Sequence, residues 1–294
     1  MFITILSDNP EKRKNFCKML GKETGADDIS FYAVNYQGKI NTLLEPTIYP
    51  EKVQPMLFSL YMADFVVLLV DQPTKYVGEL IVALDLLKKD SGMVVTQAEL
   101  PIKGTVLENY EKVQDENSAK EKLLTGLPEV KYKEEFYAMV DKAFSVKSVG
   151  NVALGIVKSG KLKKHDKLFS IPENKQIEVR TIQLNDKDAE EAGPGERFGI
   201  AYKGDIIERS SVVPLRNDFK IEKTTLGKFH QSPFYKDDIN RKMHACLDFQ
   251  FLECNVSSGE LKLDKEMAFK KGSQILIVDP SNQKLRVAGV FIVS

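Results

Sequence analysis

The sequence predicts an α/β domain, with a mostly parallel sheet and flanking helices, followed by two β-barrels. Through residue 130, short apolar stretches of strand length alternate with stretches of helical period, an order typical of a parallel sheet covered by helices. From residue 136 onward the apolar period is two, and turn residues rather than helices separate the apolar stretches. The 294 residues suffice for about two domains of ordinary size or three small ones.

Residues 1–130 contain both kinds of element. The most regular strand is the stretch 65–70, because continuous β-branched and apolar stretches are typical of parallel strands that are buried on both faces. Further strands are predicted at 2–6, 29–34, 42–44 and 92–95, and helices at 11–20, 51–62, 77–88 and 119–124. A polar loop is predicted at 114–118, ahead of the last helix. Together these elements predict one α/β domain over residues 1–130.

Residues 136–215 show the strand period most clearly. Every second side chain can turn inward, as in the series Val152, Leu154 and Ile156. The separators are the turn sequences Ser159-Gly160, Pro172-Glu173-Asn174 and Gly193-Pro194-Gly195. Short strands at this spacing predict a closed or nearly closed barrel.

Residues 220–294 repeat the strand period with a second set of alternating residues. One long strand is predicted through 243–251, with one face formed by Met243, Ala245, Leu247, Phe249 and Phe251. A hairpin turn is predicted at Asp279-Pro280-Ser281-Asn282. These features predict a second, separate barrel.

The composition is that of a soluble protein with an ordinary core. Lys plus Arg equals Asp plus Glu at 42 each, so any surface that binds nucleic acid must be a local patch. The cysteines Cys17, Cys246 and Cys254 lack the spacing of metal ligands, and their odd number without a leader sequence favours a reducing, cytoplasmic setting. The apolar stretches are too short to span a bilayer. We therefore expect a cytoplasmic protein with neither a bound metal nor a membrane partner.

Residues 141–211 carry short motifs whose order, rather than any single motif, is specific. The motifs are Ser148-Val149-Gly150, Ser159-Gly160-Lys161-Leu162, His165-Asp166-Lys167, Arg180-Thr181-Ile182-Gln183, Asp186-Lys187-Asp188, Glu190-Glu191-Ala192-Gly193-Pro194-Gly195, Arg197-Phe198-Gly199-Ile200-Ala201 and Asp205-Ile206-Ile207-Glu208-Arg209. In this order they resemble the second-domain β-barrel of the translational GTPases. The resemblance is closest to elongation factor Tu and the selenocysteine-specific elongation factor, and it indicates an archaeal-type relative of these proteins. The resemblance implies a GTPase-like domain at 1–130 and elongation-factor domain II at 136–215.

The last barrel is similar to the third domain of the same family. The matching residues are Ala268-Phe269-Lys270-Lys271-Gly272, Ile277-Val278-Asp279-Pro280 and Leu285-Arg286-Val287-Ala288-Gly289. The resemblance therefore implies an elongation-factor domain III at 220–294.

The resemblance also implies a phosphate loop between the first strand and the first helix, and the sequence departs from it there. In the motif G-x-x-x-x-G-K-[ST], the glycines let backbone N–H groups wrap the phosphates, the lysine neutralises charge and the hydroxyl binds Mg²⁺. The aligned positions hold Ser7, Lys12, Arg13 and Lys14, so both glycines and the hydroxyl are absent. We expect Lys12, Arg13 and Lys14 to form a solvated basic face of the helix. The alternative is that they attract an anion to the helix N-terminus.

Two further nucleotide motifs of the family are altered. Where the family has D-x-P-G-H, this chain has Glu45-Pro46-Thr47-Ile48-Tyr49, without the glycine and the water-positioning histidine. Where the family has N-K-x-D, this chain has Thr96-Gln97-Ala98-Glu99 and keeps a carboxylate at Glu99. Together the departures predict a degenerate GTPase domain without GTP binding or hydrolysis, and hence a protein that is not an enzyme and has no catalytic residue and no cofactor. GTP with Mg²⁺ is expected only if the chain is a divergent, active GTPase.

In the resembled family the barrels bind the acceptor end of aminoacyl-tRNA, and the first barrel also docks on the ribosome. The resemblance therefore implies a translation elongation factor-like protein that binds tRNA or the ribosome and has lost its GTP cycle. Two alternatives stay open on the sequence alone. One is a divergent but active GTP-binding elongation factor, and the other is a scaffold that binds a protein of the translation machinery instead of RNA.

The densest basic stretch of the first barrel is a candidate RNA-binding hairpin. Its residues are Lys158, Lys161, Lys163, Lys164, His165 and Lys167. Basic side chains on an exposed hairpin can contact phosphates without reading base sequence. An equally good interpretation is a solvated hairpin whose charge only maintains solubility.

Overall fold

The N-terminal domain is built on a seven-stranded sheet in this computed structural model, which describes residues 1–36, 38–257 and 259–294. The strands are β1 (Phe2–Leu6), β2 (Lys22–Gly25), β3 (Ile29–Tyr36), β4 (Lys39–Pro46), β5 (Phe65–Leu69), β6 (Gly92–Val95) and β7 (Glu111–Val113). Their order is β2-β3-β4-β1-β5-β6-β7. Strands β4, β1, β5, β6 and β7 pair in parallel, whereas β2, β3 and β4 pair antiparallel. The predicted mostly parallel sheet is confirmed.

Helices cover both faces of this sheet. They are α1 (Pro10–Leu20), α2 (Gln54–Met62), α3 (Lys75–Leu86) and α4 (Glu116–Thr125), with a 3₁₀ turn at Val106–Asn109. Phe16 of α1 and Leu123 of α4 pack on one face, and Leu57 of α2 and Leu80 of α3 pack on the other. Because the central strands are covered from both sides, every residue of β1 and β5 is buried. Within the described ranges, none of the helices combines the length and apolar character that crossing a bilayer requires.

Two strands and two helix starts differ from the predictions, and α2 begins at Gln54 rather than at 51. The sequence pattern does not predict β2 or β7, because their residues are mostly polar and exposed. The polar loop predicted at 114–118 is largely the first turn of α4. The side chain of Asp115 accepts from the backbone N–H of Ser118 at 2.9 Å, so the helix is capped and begins at Glu116 rather than Ala119.

The chain from Tyr137 to Pro214 forms the first barrel. Its strands are β8 (Tyr137–Val146), β9 (Gly150–Ser159), β10 (Leu162–Lys163), β11 (Lys167–Ile171), β12 (Lys175–Leu184), β13 (Lys187–Ala189), β14 (Glu191–Ala192), β15 (Arg197–Lys203) and β16 (Ser210–Pro214). Six strands close in the order β11-β16-β8-β9-β15-β12, because β12 pairs back to β11. The short strands β10 and β14 pair with each other, and β13 extends β12. The first predicted barrel is confirmed.

The second barrel also has six strands, closed in the order β17-β20-β19-β18-β21-β22. They are β17 (Lys220–Gln231), β18 (Met243–Leu247), β19 (Gln250–Val256), β20 (Glu260–Phe269), β21 (Gln274–Val278) and β22 (Val287–Val293). The single strand predicted through 243–251 is wrong, because Leu247 pairs with Gln250 across a two-residue turn. Asp248 has φ 54°, a left-handed value that aspartate tolerates, and this conformation reverses the chain.

One apolar core joins the sheet domain to both barrels. Phe58 of α2 meets Phe249 of the second barrel edge to face, with ring centroids 5.4 Å apart. Met139 and Ile156 of the first barrel belong to the same buried cluster. The Tyr61 hydroxyl of α2 donates to the Cys246 carbonyl of the second barrel at 2.6 Å. The three domains are therefore in direct contact with one another.

Candidate functional site

A connection of three residues, Ser7 to Asn9, joins β1 to α1 where the resembled family has its phosphate loop. The Asn9 side chain accepts from the backbone N–H of Lys12 at 3.2 Å and caps the helix. The backbone N–H of Arg13 donates to the Asn9 carbonyl at 3.2 Å, within the helix. Because α1 begins this early, Lys12, Arg13 and Lys14 lie in its first turns rather than in a loop.

Arg13 points into the domain and is fully buried, with 0% of its surface exposed. Its guanidinium group donates to the carbonyl oxygens of Ser7, Pro46 and Tyr49, the second at 2.9 Å, and at 3.4 Å to that of Thr47. We call this guanidinium and the carbonyls of Ser7, Pro46 and Tyr49 the Arg13 site. Burial lowers the pKa of Arg13. The prediction that Arg13 lies on a solvated face is wrong, because it shares the inward face of α1 with Phe16, three positions along the helix.

Lys12 and Lys14 do face outward, in different surroundings. Lys12 forms ion pairs with Asp71 and, at 3.6 Å, with Glu116. Lys14 is exposed and lines a cavity of about 370 Å³ that also borders Glu45. The basic face of α1 is therefore weaker than its sequence suggests, since the charge of Lys12 is already paired.

Glu45 and Tyr49, the positions aligned with the family's D-x-P-G-H motif, are held inside the fold. Glu45 lies in β4 and accepts from the Tyr32 hydroxyl at 3.0 Å, and burial raises the pKa of Glu45. The Tyr49 hydroxyl donates to the Tyr76 carbonyl at 2.9 Å and lies 3.2 Å from Oε1 of Glu79. Burial also raises the pKa of Tyr49. Both side chains thus have protein partners.

Thr96 and Glu99, aligned with the guanine motif, follow β6. The backbone N–H of Thr96 donates to the Val113 carbonyl at 2.9 Å, and its hydroxyl accepts from the N–H of Ala98 at 3.0 Å. Glu99 is exposed to solvent. Hydrogen bonds therefore join the predicted positions Ser7, Arg13 and Tyr49, whereas those of Thr96 go to Val113 at the end of β7 and to its own turn.

A cavity of about 100 Å³ lies where the sheet domain meets the first barrel, and we call it the interdomain cavity. Two arginines of the first barrel line it. Arg197 of β15 donates to Asp141 of β8 at 3.1 Å, and its guanidinium carbon lies 3.6 Å from the ring centre of Phe31 in β3. Arg209 donates to Asp28 of the sheet domain at 2.7 Å. The cavity is therefore bordered by charges from both domains.

Three buried polar atoms at the interdomain cavity lack a hydrogen-bond partner within the described part of the chain. They are Oδ1 of Asp141, Nη1 of Arg197 and Nε of Arg209. The Asp141 side chain is 9% exposed, and burial raises its pKa while the charges of Arg197 and Arg209 oppose that shift. Buried polar groups are normally paired, so such atoms beside a cavity mark a place for water or a small polar ligand.

Sequence reasoning does not identify the interdomain cavity. Arg197 and Arg209 both belong to the motifs of the resemblance, but their partners Asp141 and Asp28 lie 56 and 181 positions away in the chain. Spacing rules cannot connect Arg197 with Asp141, which meet when the first barrel closes, or Arg209 with Asp28, which meet when two domains pack. The one available signal is the position of Arg197 at the start of an apolar strand, where a charge needs a partner.

Lys158 does not belong to the exposed hairpin. Its amine donates to the Met62 carbonyl at 2.6 Å and pairs with Asp64 at 2.7 Å, so it joins the first barrel to the sheet domain. Its side chain is 17% exposed. The amine is therefore already bound between two domains, and the role of Lys158 as an RNA contact stays a prediction.

The other candidate lysines divide into two groups. Lys161 pairs with Glu191, and Lys164 pairs with Glu190 at 2.7 Å, so the acidic side chains at β14 neutralise part of the hairpin. Lys163, His165 and Lys167 are exposed. Among the described residues, neither Lys163 nor Lys167 forms an ion pair, so these two lysines present the available charge.

The known proteins that resemble this chain match it over different lengths. No family model matches the chain. An uncharacterized protein of Methanocaldococcus jannaschii is 29% identical over 291 residues, which cover 93% of this chain and 94% of that protein. Elongation factor 1-alpha of Nanoarchaeum equitans is 37% identical over 78 residues, 25% of this chain and 18% of that factor.

A solved structure extends the likeness to the full length. The crystal structure of translation elongation factor SelB from Methanococcus maripaludis, in complex with the GTP analogue GppNHp, matches with a TM-score of 0.83 and 18% identity. The match covers 99% of this chain and 78% of that one. The predicted resemblance to the translational GTPases is confirmed. The likeness to SelB shows the fold, while the sequence match to an elongation factor is confined to a quarter of the chain.

Proposed function

We propose that this chain is a translation elongation factor-like protein that binds tRNA or the ribosome and acts without a GTP cycle. It works in the cytoplasm, needs no cofactor and catalyses no reaction. The full-length SelB-like fold supports the translation role. The observation that carries the nucleotide-independent part is the buried guanidinium of Arg13, at the position that aligns with the phosphate-loop lysine.

The chemistry of the Arg13 site is opposite to that of a phosphate site. A phosphate needs backbone N–H donors and open space around them. Here three carbonyl oxygens converge, and the donors of Arg13 are directed at them. Binding a nucleotide would require breaking these hydrogen bonds and leaving buried carbonyls without partners, which costs about 1–3 kcal/mol for each group. This polarity supports a protein that has given up GTP.

The interdomain cavity supports a contact with the acceptor end of tRNA. Arg197 and Arg209 supply donors and Asp141 supplies an acceptor, and each carries an unpaired atom. The volume of about 100 Å³ suits a small polar group rather than a base. Lys163 and Lys167, on the surface of the same barrel, would add contacts to phosphates, which fix position without reading sequence.

Nucleotide titration tests the first half of the proposal. We expect no saturable binding of GTP with Mg²⁺ at nucleotide concentrations up to about 1 mM, so that any dissociation constant is at least that of a weak, millimolar complex. Micromolar binding, or turnover that Glu45→Ala abolishes, would instead establish a divergent, active GTPase. Either result leaves the RNA half of the proposal to its own test.

Retention on immobilised tRNA and on ribosomes tests the second half. We expect retention at about 50 mM KCl that falls steeply toward about 200 mM, because phosphate contacts release counterions. Absence of retention at low salt would favour the protein-scaffold alternative. An exposed aromatic side chain, Phe234 at 65% exposure beside an apolar cavity against α3, is the feature that favours that second candidate.

A further inference from the structure

The segment 46–50, at the end of β4, is bound by two arginines that come from different domains. The Tyr49 carbonyl accepts from Arg13 of α1. The next carbonyl, that of Pro50, accepts from Nη1 of Arg286 at 2.8 Å. Arg286 lies in the connection between β21 and β22 of the second barrel. Adjacent carbonyls of one segment therefore bind a cation of the sheet domain and a cation of the second barrel.

The side chain of Tyr49 forms a second link between the same two arginines. Its ring centre lies 5.9 Å from the guanidinium carbon of Arg13 and 5.6 Å from that of Arg286. Its hydroxyl lies 3.2 Å from Oε1 of the buried Glu79 in α3. Oε2 of Glu79 accepts from the backbone N–H and from Nε of Arg286, each at 2.9 Å. Tyr49 is thus connected to Arg286 of the second barrel both along the backbone and through its side chain.

The guanidinium of Arg13 binds this segment through backbone carbonyl oxygens. Among the described residues its guanidinium forms no ion pair, so the converging carbonyl dipoles of Ser7, Pro46 and Tyr49 stabilise its charge. An arginine does not lose its proton under ordinary conditions. Moving the segment away would leave a buried cation and buried carbonyls unpaired, so each fixes the position of the other.

We propose that Arg13 acts as a fixed internal ligand that sets the position of segment 46–50, and that this segment fixes the second barrel through Arg286. The device goes beyond the proposed function, because it acts in the free protein whether or not RNA binds. It needs no dissociable molecule, so the docking of the second barrel on the sheet domain is set when the chain folds. Arg13 is a positioning residue in this scheme.

Hydrogen exchange on the full chain tests the proposal. Arg13→Met keeps an apolar stem and removes the donors. We expect at least about tenfold faster exchange at the Lys52 amide, which donates to Ile48 at 2.9 Å, and at the Arg286 amide, which donates to Glu79. The matched control is Lys14→Met, an exposed lysine on the same helix, which should leave both amides unchanged.

A distance measurement completes the experiment. Spin labels on the exposed positions Lys88 and Lys271 report the separation of the sheet domain and the second barrel. We expect a broader distance distribution in Arg13→Met than in Lys14→Met. A folded Arg13→Met protein with an unchanged Arg286 amide and an unchanged distribution would overturn the proposal, since Arg13 would then act only within its own domain.

A second variant keeps the test decisive where Arg13→Met fails to fold. Arg13→Lys retains the charge, but one ammonium group cannot reproduce the fork that reaches three carbonyls. We expect faster exchange at the Arg286 amide in this variant, and low millimolar guanidinium added to folded Arg13→Ala should restore protection. Wild-type protection of that amide in folded Arg13→Lys overturns the proposal.

Discussion

The Arg13 site and the interdomain cavity both bury arginines, but they differ in what those arginines bind. Arg13 donates to three carbonyls of its own domain and is not among the residues that line the neighbouring cavity. Arg197 and Arg209 pair with carboxylates and leave unpaired atoms beside a space between two domains. Within the described residues the first arrangement also leaves one atom unpaired, Nε of Arg13, but Arg13 does not line the neighbouring cavity. In the second arrangement the unpaired atoms border a space that a ligand can fill. The difference separates an arginine that stabilises the fold from arginines that can bind a ligand.

The largest expected effect is on stability, and it comes from the Arg13 site. Arg13→Met leaves the buried carbonyls of Ser7 and Tyr49 without their donor, whereas the Pro46 carbonyl still accepts from the Tyr49 N–H. At about 1–3 kcal/mol for each of the two, we expect a loss of about 2–6 kcal/mol in the free energy of unfolding. Arg197→Met should cost less, about 1–3 kcal/mol, because one buried carboxylate, that of Asp141, loses its partner and can take up a proton instead. Urea unfolding measures both. Equal losses in the two variants would remove the distinction between the sites.

A half-buried lysine whose amine is enclosed by the fold sharpens the comparison, because it can lose the proton that an arginine keeps. Lys89 donates to the Ala63 carbonyl at 3.0 Å, and burial lowers the pKa of Lys89 to about 7 from 10.5. Between these values the unfolded chain holds a proton that the folded chain has released. Stability therefore rises with pH across this window, by at most about 1.4 kcal/mol for each pH unit from this group.

Lys89→Met should remove this rise. Urea unfolding of wild type and variant from about pH 6.5 to pH 10 measures the difference in slope, which isolates the one group because all others are shared. Lys88→Met, at the neighbouring exposed lysine, is the control and should leave the slope unchanged. Parallel curves for wild type and Lys89→Met would show that the amine stays protonated in the fold.

The elements with a regular period are those that the sequence predicts well. Both barrels follow from the period of two, and the central strands follow from their continuous apolar stretches. The hairpin at Asp248 escapes prediction because a two-residue turn leaves the alternation from Met243 to Phe251 uninterrupted. The polar edge strands β2 and β7 escape because their hydrogen bonds leave no trace in hydrophobicity.

The candidate site is less predictable, because its contacts are long in sequence. The positions Ser7, Arg13, Glu45 and Tyr49 follow from the resemblance, but the inward direction of Arg13 does not. Its carbonyl partners at Pro46 and Tyr49 lie 33 and 36 positions away. A basic triplet on a short helix gives no sign of which side chain finds buried acceptors. Only the packing of α1 against β4 decides it.

A smaller effect is expected on RNA binding from the interdomain cavity. Arg197→Met removes the unpaired Nη1 together with the bond to Asp141, and we expect about tenfold weaker retention of tRNA, or about 1.4 kcal/mol. Asp141→Asn keeps the shape and should have a lesser effect. Circular dichroism checks that both variants are folded. Unchanged tRNA retention in folded Arg197→Met would take the cavity out of RNA recognition.

The smallest effect is expected at the hairpin, where two matched pairs of lysines test whether an ion pair hides a charge from RNA. Lys163 and Lys167 are exposed and, within the described ranges, free of ion pairs, whereas Lys161 and Lys164 face Glu191 and Glu190. Replacing the first pair by glutamine should reduce the log–log slope of tRNA retention against KCl by roughly 0.7 for each phosphate that the hairpin no longer neutralises. Replacing the second pair should change the slope less, because those amines are already partly neutralised.

The barrel should stay folded in both variants, since these side chains lie outside its core. Equal slopes in wild type and both variants would assign the hairpin to solubility, and a larger change from the second pair would mean that RNA displaces the glutamates.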